Sequence, residues 1–385
     1  MVSPVPTHPP TAGNRTRVLS LFTALKGMGH EVTFAYVPYD HGSEDYDAME
    51  RYLRGHLRIL TAQPPPFPRP VGRIRRKVAR TLRLPAAHAW DVDEWFDNGL
   101  LTQLTRIQDV EQYDAALIEY VFLSKVISVL PKAVRTIIDM HDLFGGRHRY
   151  YLNNGMAPAW FSTTSQQEIK ALGRADAVIA IQEQEAEYLR HYGLREVFCV
   201  GHISTQQYTP LADPGEARIL FVGSDNPINI QGLEWFIHSV LPQIRAAMPT
   251  SQFMIAGPAG YEHRWPDDIV ILGKVDSIVT AYSDATVVVN PVFFGTGLAV
   301  KTIEALSFGK AVVVTAAGAR GLDSEFRTAM VIARDCNGFA RGVIALLQSQ
   351  AARAQLSANA FATMKRWRRR QLAALDAALR GSESN

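Results

Sequence analysis

The stretch Val287-Val-Val-Asn-Pro-Val-Phe-Phe-Gly-Thr-Gly-Leu-Ala-Val-Lys-Thr-Ile-Glu-Ala-Leu-Ser-Phe-Gly-Lys-Ala-Val-Val-Val-Thr315 decides how the rest of the chain is read. A β-branched run ends at Pro291, a Gly-Thr-Gly turn follows, a helical pattern begins near Leu298, and a second β-branched run closes the unit. Strand, turn, helix and strand in that order form the repeating unit of a parallel sheet covered by helices. Backbone N–H groups at Gly295, Thr296, Gly297 and Leu298, together with the helix dipole, offer a site for a phosphate or diphosphate. Lys301 adds a positive charge, and the Glu304 carboxylate, three residues on, can accept hydrogen bonds from a ribose diol. The plainer alternative is an ordinary turn, with Glu304 a surface residue paired to Lys301. A dinucleotide fingerprint fails here, because Val300 stands where its third Gly belongs and no acidic residue follows at the required distance.

Working outward, the same alternation repeats on both sides. Arg218–Gly223, Gln252–Gly257, Asp268–Gly273 and Thr286–Pro291 read as strands before the second run at Lys310–Thr315, with helices at Ile230–Ala247, Ile278–Tyr282, Ala299–Phe308 and Gly338–Leu347. Earlier in the chain, Glu31–Val37, Ala115–Tyr120, Arg135–His141, Ala177–Ile181 and Glu196–Val200 read as strands. Helical patterns accompany them at Arg15–Met28, Leu123–Leu130, Ser165–Arg174 and Glu183–Tyr192. Residues 204–216, with two prolines and a Gly, interrupt the pattern. The expected organisation is an N-terminal domain over 1–203, a linker over 204–216, a second domain over 217–360, and a C-terminal helical segment over 361–385 that packs back on the first. The fold class is α/β: two Rossmann-like domains whose parallel sheets face across a cleft, with ligands at the C-terminal strand ends.

The chain has 385 residues, with 40 Lys+Arg against 37 Asp+Glu, so its charge of +3 does not by itself imply nucleic acid. Two cysteines, Cys199 and Cys336, build no disulfide framework and point to a reducing, cytoplasmic setting. The N-terminus lacks the charge and apolar run of a secretory signal, and no apolar stretch approaches the length of a bilayer span. No zinc, P-loop or serine-hydrolase pattern occurs. Asp91-Val-Asp93 is formally a DxD, but no strand precedes it. Arg69, Arg73, Arg75, Arg76, Lys77, Arg80 and Arg83 alternate with Ile74, Val78, Leu82 and Leu84. That mixture reads either as a solvated face or as a contact with anionic lipid or a lipid-diphosphate acceptor, peripheral at the inner membrane face.

Gly295–Gly309 followed by Lys310–Thr315 resembles the donor-site signature of family 4 glycosyltransferases of the GT-B fold. Ile219–Ser224 with Pro227–Asn229 and Leu233–Phe236 is similar to the first strand, loop and helix of their C-terminal domain. Ile255–Pro258 and Leu272–Val275 resemble the strand ends that hold the base. Ala175–Ala180 resembles the end of their N-terminal domain.

The resemblance implies that a sugar moves from a nucleoside-diphosphate donor, of the UDP or GDP type, to a hydroxyl acceptor that is a glycan or lipid-linked. Retention of configuration, with neither metal nor cofactor, is implied with it, as is a place in cell-surface glycan or glycoconjugate synthesis. The implied donor residues are Gly223, Ser224, Asn229, Gly257, Val275, Gly295, Thr296, Gly297, Leu298, Lys301 and Glu304. Gly13, Asn14 and Arg15 match the glycine loop near donor and acceptor, and His141 matches a histidine facing the transferred sugar. Two departures stand out. Thr296 occupies the place of a second glutamate eight positions before Glu304. Ser224 and Gln231 stand where an Arg and a Lys are common; a subset with a GTG loop and an Asn like Asn229 is the nearer match. A nucleotide-sugar 2-epimerase or a non-catalytic nucleotide-sugar-binding subunit on the same scaffold are the rival readings.

Overall fold

The computed structural model describes residues 1–10, 12–39, 44–153, 155–158, 160–204, 216–261, 263–275, 278–295 and 297–381. It divides into two compact units, one of residues 1–10, 14–201 and 372–385, the other of residues 11–13 and 202–371. Residues 205–215 of the expected linker lie outside the described residues.

The first unit holds a seven-stranded parallel sheet. Its strands are β1 (Val2–Ser3), β2 (Phe34–Tyr36), β3 (Leu57–Ile59), β4 (Ala115–Glu119), β5 (Arg135–Asp139), β6 (Ala177–Ala180) and β7 (Val197–Cys199). Their spatial order is β3-β2-β1-β4-β5-β6-β7. The second unit holds β8 (Arg218–Val222), β9 (Gln252–Ala256), β10 (Val270–Gly273), β11 (Val287–Asn290), β12 (Ala311–Thr315) and β13 (Val331–Ala333), ordered β10-β9-β8-β11-β12-β13. Runs such as Ala177–Ala180 and Val287–Asn290 are buried throughout, as expected for strands covered on both faces. In both sheets the order reverses beside the first strand, between β1 and β4 and between β8 and β11. That reversal opens a crevice at the C-terminal strand ends. In the second unit, Phe221, Phe236, Phe253, Val289, Val313 and Phe339 share one core cluster that fixes the helices against the sheet.

The structure adds elements that the pattern did not announce. Strands β1, β3 and β13, two or three residues long, are among them. Helices Tyr46–Leu53, Pro70–Thr81 and Gly99–Val110 occupy the long interval between the expected strands Glu31–Val37 and Ala115–Tyr120. Ile230–Ala247 is interrupted: an α-helix Pro227–Trp235 passes through a π-helical turn, Phe236–Val240, into Leu241–Ala247. Pro242, which has no N–H to donate, lies just beyond the wide turn. Leu123–Leu130 is a 3₁₀ stretch, Val121–Val129.

The C-terminal helix is one element, Gln350–Arg380. Trp367 Nε1 donates to the His202 carbonyl at 2.8 Å within the second unit. Arg135 Nε donates to the Ala378 carbonyl at 2.8 Å within the first. The division between units therefore falls inside this helix, after Gln371, and not at 360/361. Among the described residues, no helix is long and apolar enough to cross a membrane.

Candidate functional site

At the reversal of the second sheet, two glycines let strand ends meet. Gly257 has φ +94°, and a Cβ there would lie 2.4 Å from the Gly223 carbonyl oxygen. Gly223 N in turn donates to the Ala256 carbonyl at 3.0 Å. The loop after β8 is closed by Asn226, whose side chain accepts from Asn229 N at 2.9 Å and so caps the helix Pro227–Trp235. Asn229 is buried and works in two directions. Its Nδ2 donates to the Ser224 carbonyl at 2.7 Å, and its Oδ1 accepts from Lys301 Nζ. The Lys301 ammonium also stands 4.7 Å from the centroid of the Phe221 ring.

The helix after the GTG turn runs Val300–Ser307, so it begins two residues later than the pattern suggested. Lys301 lies in its first turn and Glu304 in its second; the rise from Val300 to Glu304 is about 6 Å. Glu304 is half-buried and its Oε2 accepts from the Tyr282 hydroxyl at 3.0 Å. Tyr282 is fully buried, stacked on Phe308 with centroids 4.4 Å apart. The surface pairing of Glu304 with Lys301 is thereby corrected: each side chain has its own neutral hydrogen-bond partner, because the helix packs both against the sheet end. Burial pulls the Lys301 ammonium down to about 7, with Glu304 acting the other way. Burial raises the Glu304 carboxyl, against the Tyr282 hydrogen bond and Lys301.

The GTG turn is held at its flanks. Arg320 donates from Nη1 to the Gly295 carbonyl at 2.7 Å, and Ala299 N donates to the Arg320 carbonyl at 3.1 Å. Below it, Asn290 Nδ2 donates to Thr302 Oγ1 at 2.9 Å, and Thr302 Oγ1 to the Gly318 carbonyl at 2.7 Å. A Cβ at Gly295 would meet nothing within 4 Å. Gly297 is half-buried and Leu298 buried. Thr296 lies outside the described residues, and Val275 is half-buried just after β10. The Lys301 ammonium and the Arg320 guanidinium are groups that can hold an anion, and the Glu304 carboxylate can accept from hydroxyl groups.

The reversal of the first sheet carries a different constellation. Glu119 ends β4 and Asp139 ends β5, both fully buried. Arg17, from the helix Gly13–Gly27, grips Asp139 with Nε at 2.7 Å and Nη2 at 2.6 Å. The same guanidinium donates to the carbonyls of Val200 and Gly201. His141 Nε2 lies 2.5 Å from Glu119 Oε2 and 3.5 Å from Asp139 Oδ2. Its ring stacks on Tyr120 at 3.8 Å and 7°. Tyr120 and His141 both have positive φ, 69° and 62°, an uncommon conformation for side-chain-bearing residues that clusters where geometry serves function. Burial drives the His141 imidazole down to about 4, so it is neutral at pH 7. Burial and the neighbouring Asp139 push the Glu119 carboxyl well up, while Arg17 holds Asp139 down against its own burial.

Of the glycine-loop residues, Asn14 bonds through its side chain to the Tyr120 hydroxyl. Gly13 opens the helix with space around it, and Arg15 reaches the Pro9 carbonyl at 3.4 Å. The DxD carboxylates are taken up structurally, Asp91 by Arg75 at 3.3 Å and Asp93 by Arg174 at 2.8 Å.

Arg17, Glu119, Tyr120, Asp139, Tyr282 and Arg320 were not singled out from sequence. Only the carboxylates ending the apolar runs Ala-Ala-Leu-Ile-Glu119 and Arg-Thr-Ile-Ile-Asp139 carried a readable signal. An acid at the C-terminal end of a buried strand sits where ligands bind.

Two family models match the chain: a glycosyl transferase 4-like domain over residues 12–200 and glycosyl transferases group 1 over residues 216–349. The chain belongs to the family 4-like glycosyltransferases of the GT-B fold. A Klebsiella pneumoniae protein described as an uncharacterized 44.6 kDa protein in the cps region is 28% identical over 162 residues, 39% of this chain and 42% of that one. The match thus spans less than half of that relative. Sucrose-phosphate synthase (tll1590) from Thermosynechococcus elongatus superposes with a TM-score of 0.63 at 19% identity, covering 94% of this chain and 92% of that one. Anabaena Alr3699/HepE in complex with UDP-glucose gives 0.59 at 13% identity, covering 96% and 95%. At these identities the solved structures speak for the fold.

Proposed function

We propose that the protein transfers a sugar from a nucleoside-diphosphate donor, of the UDP or GDP type, to a hydroxyl of a glycan or lipid-linked acceptor. The transfer proceeds with retention and without an essential metal or cofactor, in the cytoplasm, and serves cell-surface glycan or glycoconjugate synthesis. The observation that carries this reading is the cluster at the β8/β11 reversal, where Lys301 and Glu304 follow the GTG turn with only neutral hydrogen-bond partners. Glu304 keeps one oxygen on Tyr282 and has the lone pairs of the other for ribose hydroxyls.

As the bond between sugar and diphosphate breaks, negative charge grows on the leaving group. Lys301, Arg320 and the N–H groups of Gly295–Leu298 stabilise that charge, and positioned donors of this kind supply much of a transfer enzyme's rate. Gly223, Ser224, Asn229 and Gly257 shape the floor of the donor site, and Val275 borders the base. His141, neutral and held by Glu119, contacts the sugar, and Gly13, Asn14 and Arg15 serve the donor and acceptor side.

The test is purified protein incubated with a panel of UDP- and GDP-sugars, followed by NMR for hydrolysis, epimerisation and anomeric configuration. One donor should turn over slowly to the free sugar with its configuration kept, and EDTA should change nothing. Epimerisation, or the absence of any bound or consumed donor, would overturn the reading.

A further inference from the structure

The helix Pro70–Thr81 presents its faces the opposite way round from an ordinary surface helix. Gly72, Arg76 and Ala79 face inward, whereas Val71, Ile74, Val78 and Leu82 are 79%, 65%, 52% and 62% exposed. At 100° per residue these four aliphatics fall in a stripe roughly 80° wide along one side. The inward face is secured by charge. Arg76 bonds the fully buried Glu94 through Nη1 at 2.5 Å and Nη2 at 3.2 Å, with its guanidinium 3.7 Å from the centre of the Trp90 ring. A Cβ at Gly72 would lie 2.3 Å from Glu94 Oε1, so glycine is what lets the helix settle onto that carboxylate. The aliphatic stripe is therefore held outward by the anchoring of the opposite face.

No Asp or Glu occurs between Arg69 and Trp90, a span with seven Lys and Arg. Arg76 is spent on Glu94, Arg75 lies 3.3 Å from Asp91, and Arg69 lies 3.8 Å from Asp93. Among the described residues, no ion-pair partner accompanies Arg73, Lys77, Arg80 or Arg83.

We propose that this helix is an in-plane membrane anchor, laying Val71, Ile74, Val78 and Leu82 into the headgroup region of a bilayer rich in anionic lipid. Apolar side chains enter the acyl boundary while the long stems of Lys and Arg carry their charges to the phosphates. Charge complementarity selects this occupant. A second copy meeting the same face would set one excess of positive charge against another. A nucleic acid would leave the aliphatic stripe in water. The proposal concerns binding alone and stands independently of the transfer reaction.

Full-length protein is co-sedimented with vesicles of phosphatidylcholine and of phosphatidylcholine containing phosphatidylglycerol. Binding to the anionic vesicles is expected, about tenfold or more above the neutral ones, and weakened in about 0.5 M salt. Arg73→Glu/Lys77→Glu/Arg80→Glu should abolish it. Ile74→Ser/Val78→Ser should lower it about tenfold with an unchanged thermal transition, since both side chains lie outside the core. Val110→Ser, at an exposed valine on another helix, should bind like wild type. Equal binding to both vesicle types, wild-type binding by either multiple variant, or concentration-dependent self-association lost in Ile74→Ser/Val78→Ser would overturn the proposal.

Discussion

At the reversal of the first sheet, Arg17, Glu119, Asp139 and His141 are at most 5% exposed and settle their charges among themselves. At the reversal of the second, Lys301 and Glu304 are half-buried and rest on Asn229 and Tyr282, which carry no charge at neutral pH. The first six strands follow the same order in both units, so the sheet alone does not set the difference. An arginine that meets a carboxylate bidentately is already satisfied, and removing it strands the partner. A lysine and a glutamate whose hydrogen-bond partners are neutral influence each other without a direct ion pair, and have more to gain from a charged ligand. The first constellation accordingly reads as a rigid, internally neutralised support, and the second as a receptive one.

The sharpest way to break this contrast is Arg17→Met. It leaves Asp139 buried without its cation and should cost about 3–5 kcal/mol of stability, measured by urea denaturation. Lys301→Met should cost no more than about 1.5 kcal/mol, since it removes one hydrogen bond and also a desolvated ammonium. Equal losses for the two variants would erase the distinction between the sites.

Glu304→Ala comes next. It should weaken binding of the free nucleoside diphosphate tenfold to a hundredfold, about 1.4–2.7 kcal/mol, with the fold intact. Glu304→Gln should do less harm, because an amide oxygen still accepts. Calorimetry that finds wild-type affinity in Glu304→Ala would withdraw the donor assignment.

Proton linkage sharpens the comparison further. With Lys301 near 7 in the free protein, a bound diphosphate raises its pKa, so binding above pH 7 takes up a proton. Affinity should therefore fall as pH rises above 7, by up to about tenfold per unit. Calorimetry at pH 8 in buffers of different ionisation enthalpy should register the uptake, and Lys301→Met should abolish it. The smallest effect expected is for Arg320→Ala. Its exposed side chain should contribute only a few-fold in affinity, an effect that shrinks in high salt.

Much of the scaffold was legible because each βα unit is encoded locally. Continuous Val and Ile runs ending in glycine turns mark buried parallel strands, and Val287–Thr315 shows strand, turn and helix without reference to anything outside itself. The short strands β1, β3 and β13 escaped, whereas β2 and β7, also three residues long, lie inside the readable runs Glu31–Val37 and Glu196–Val200. The helix Pro70–Thr81 was visible as mixed charge and aliphatic residues, yet which face points outward depended on Glu94, which lies beyond it in the chain.

The sequence by itself therefore determined two parallel α/β sheets, the glycine turn at residues 295–297, and the residue types suited to a diphosphate and a diol. Only the tertiary structure decided which charges meet. Arg17 and Asp139 are separated by 122 positions, and Lys301 and Asn229 by 72, so no local period relates them. The physical reason lies in the two sheet orders. Each brings strands far apart in sequence to one edge of a reversal, where burial then forces every polar group to find a partner or wait for a ligand.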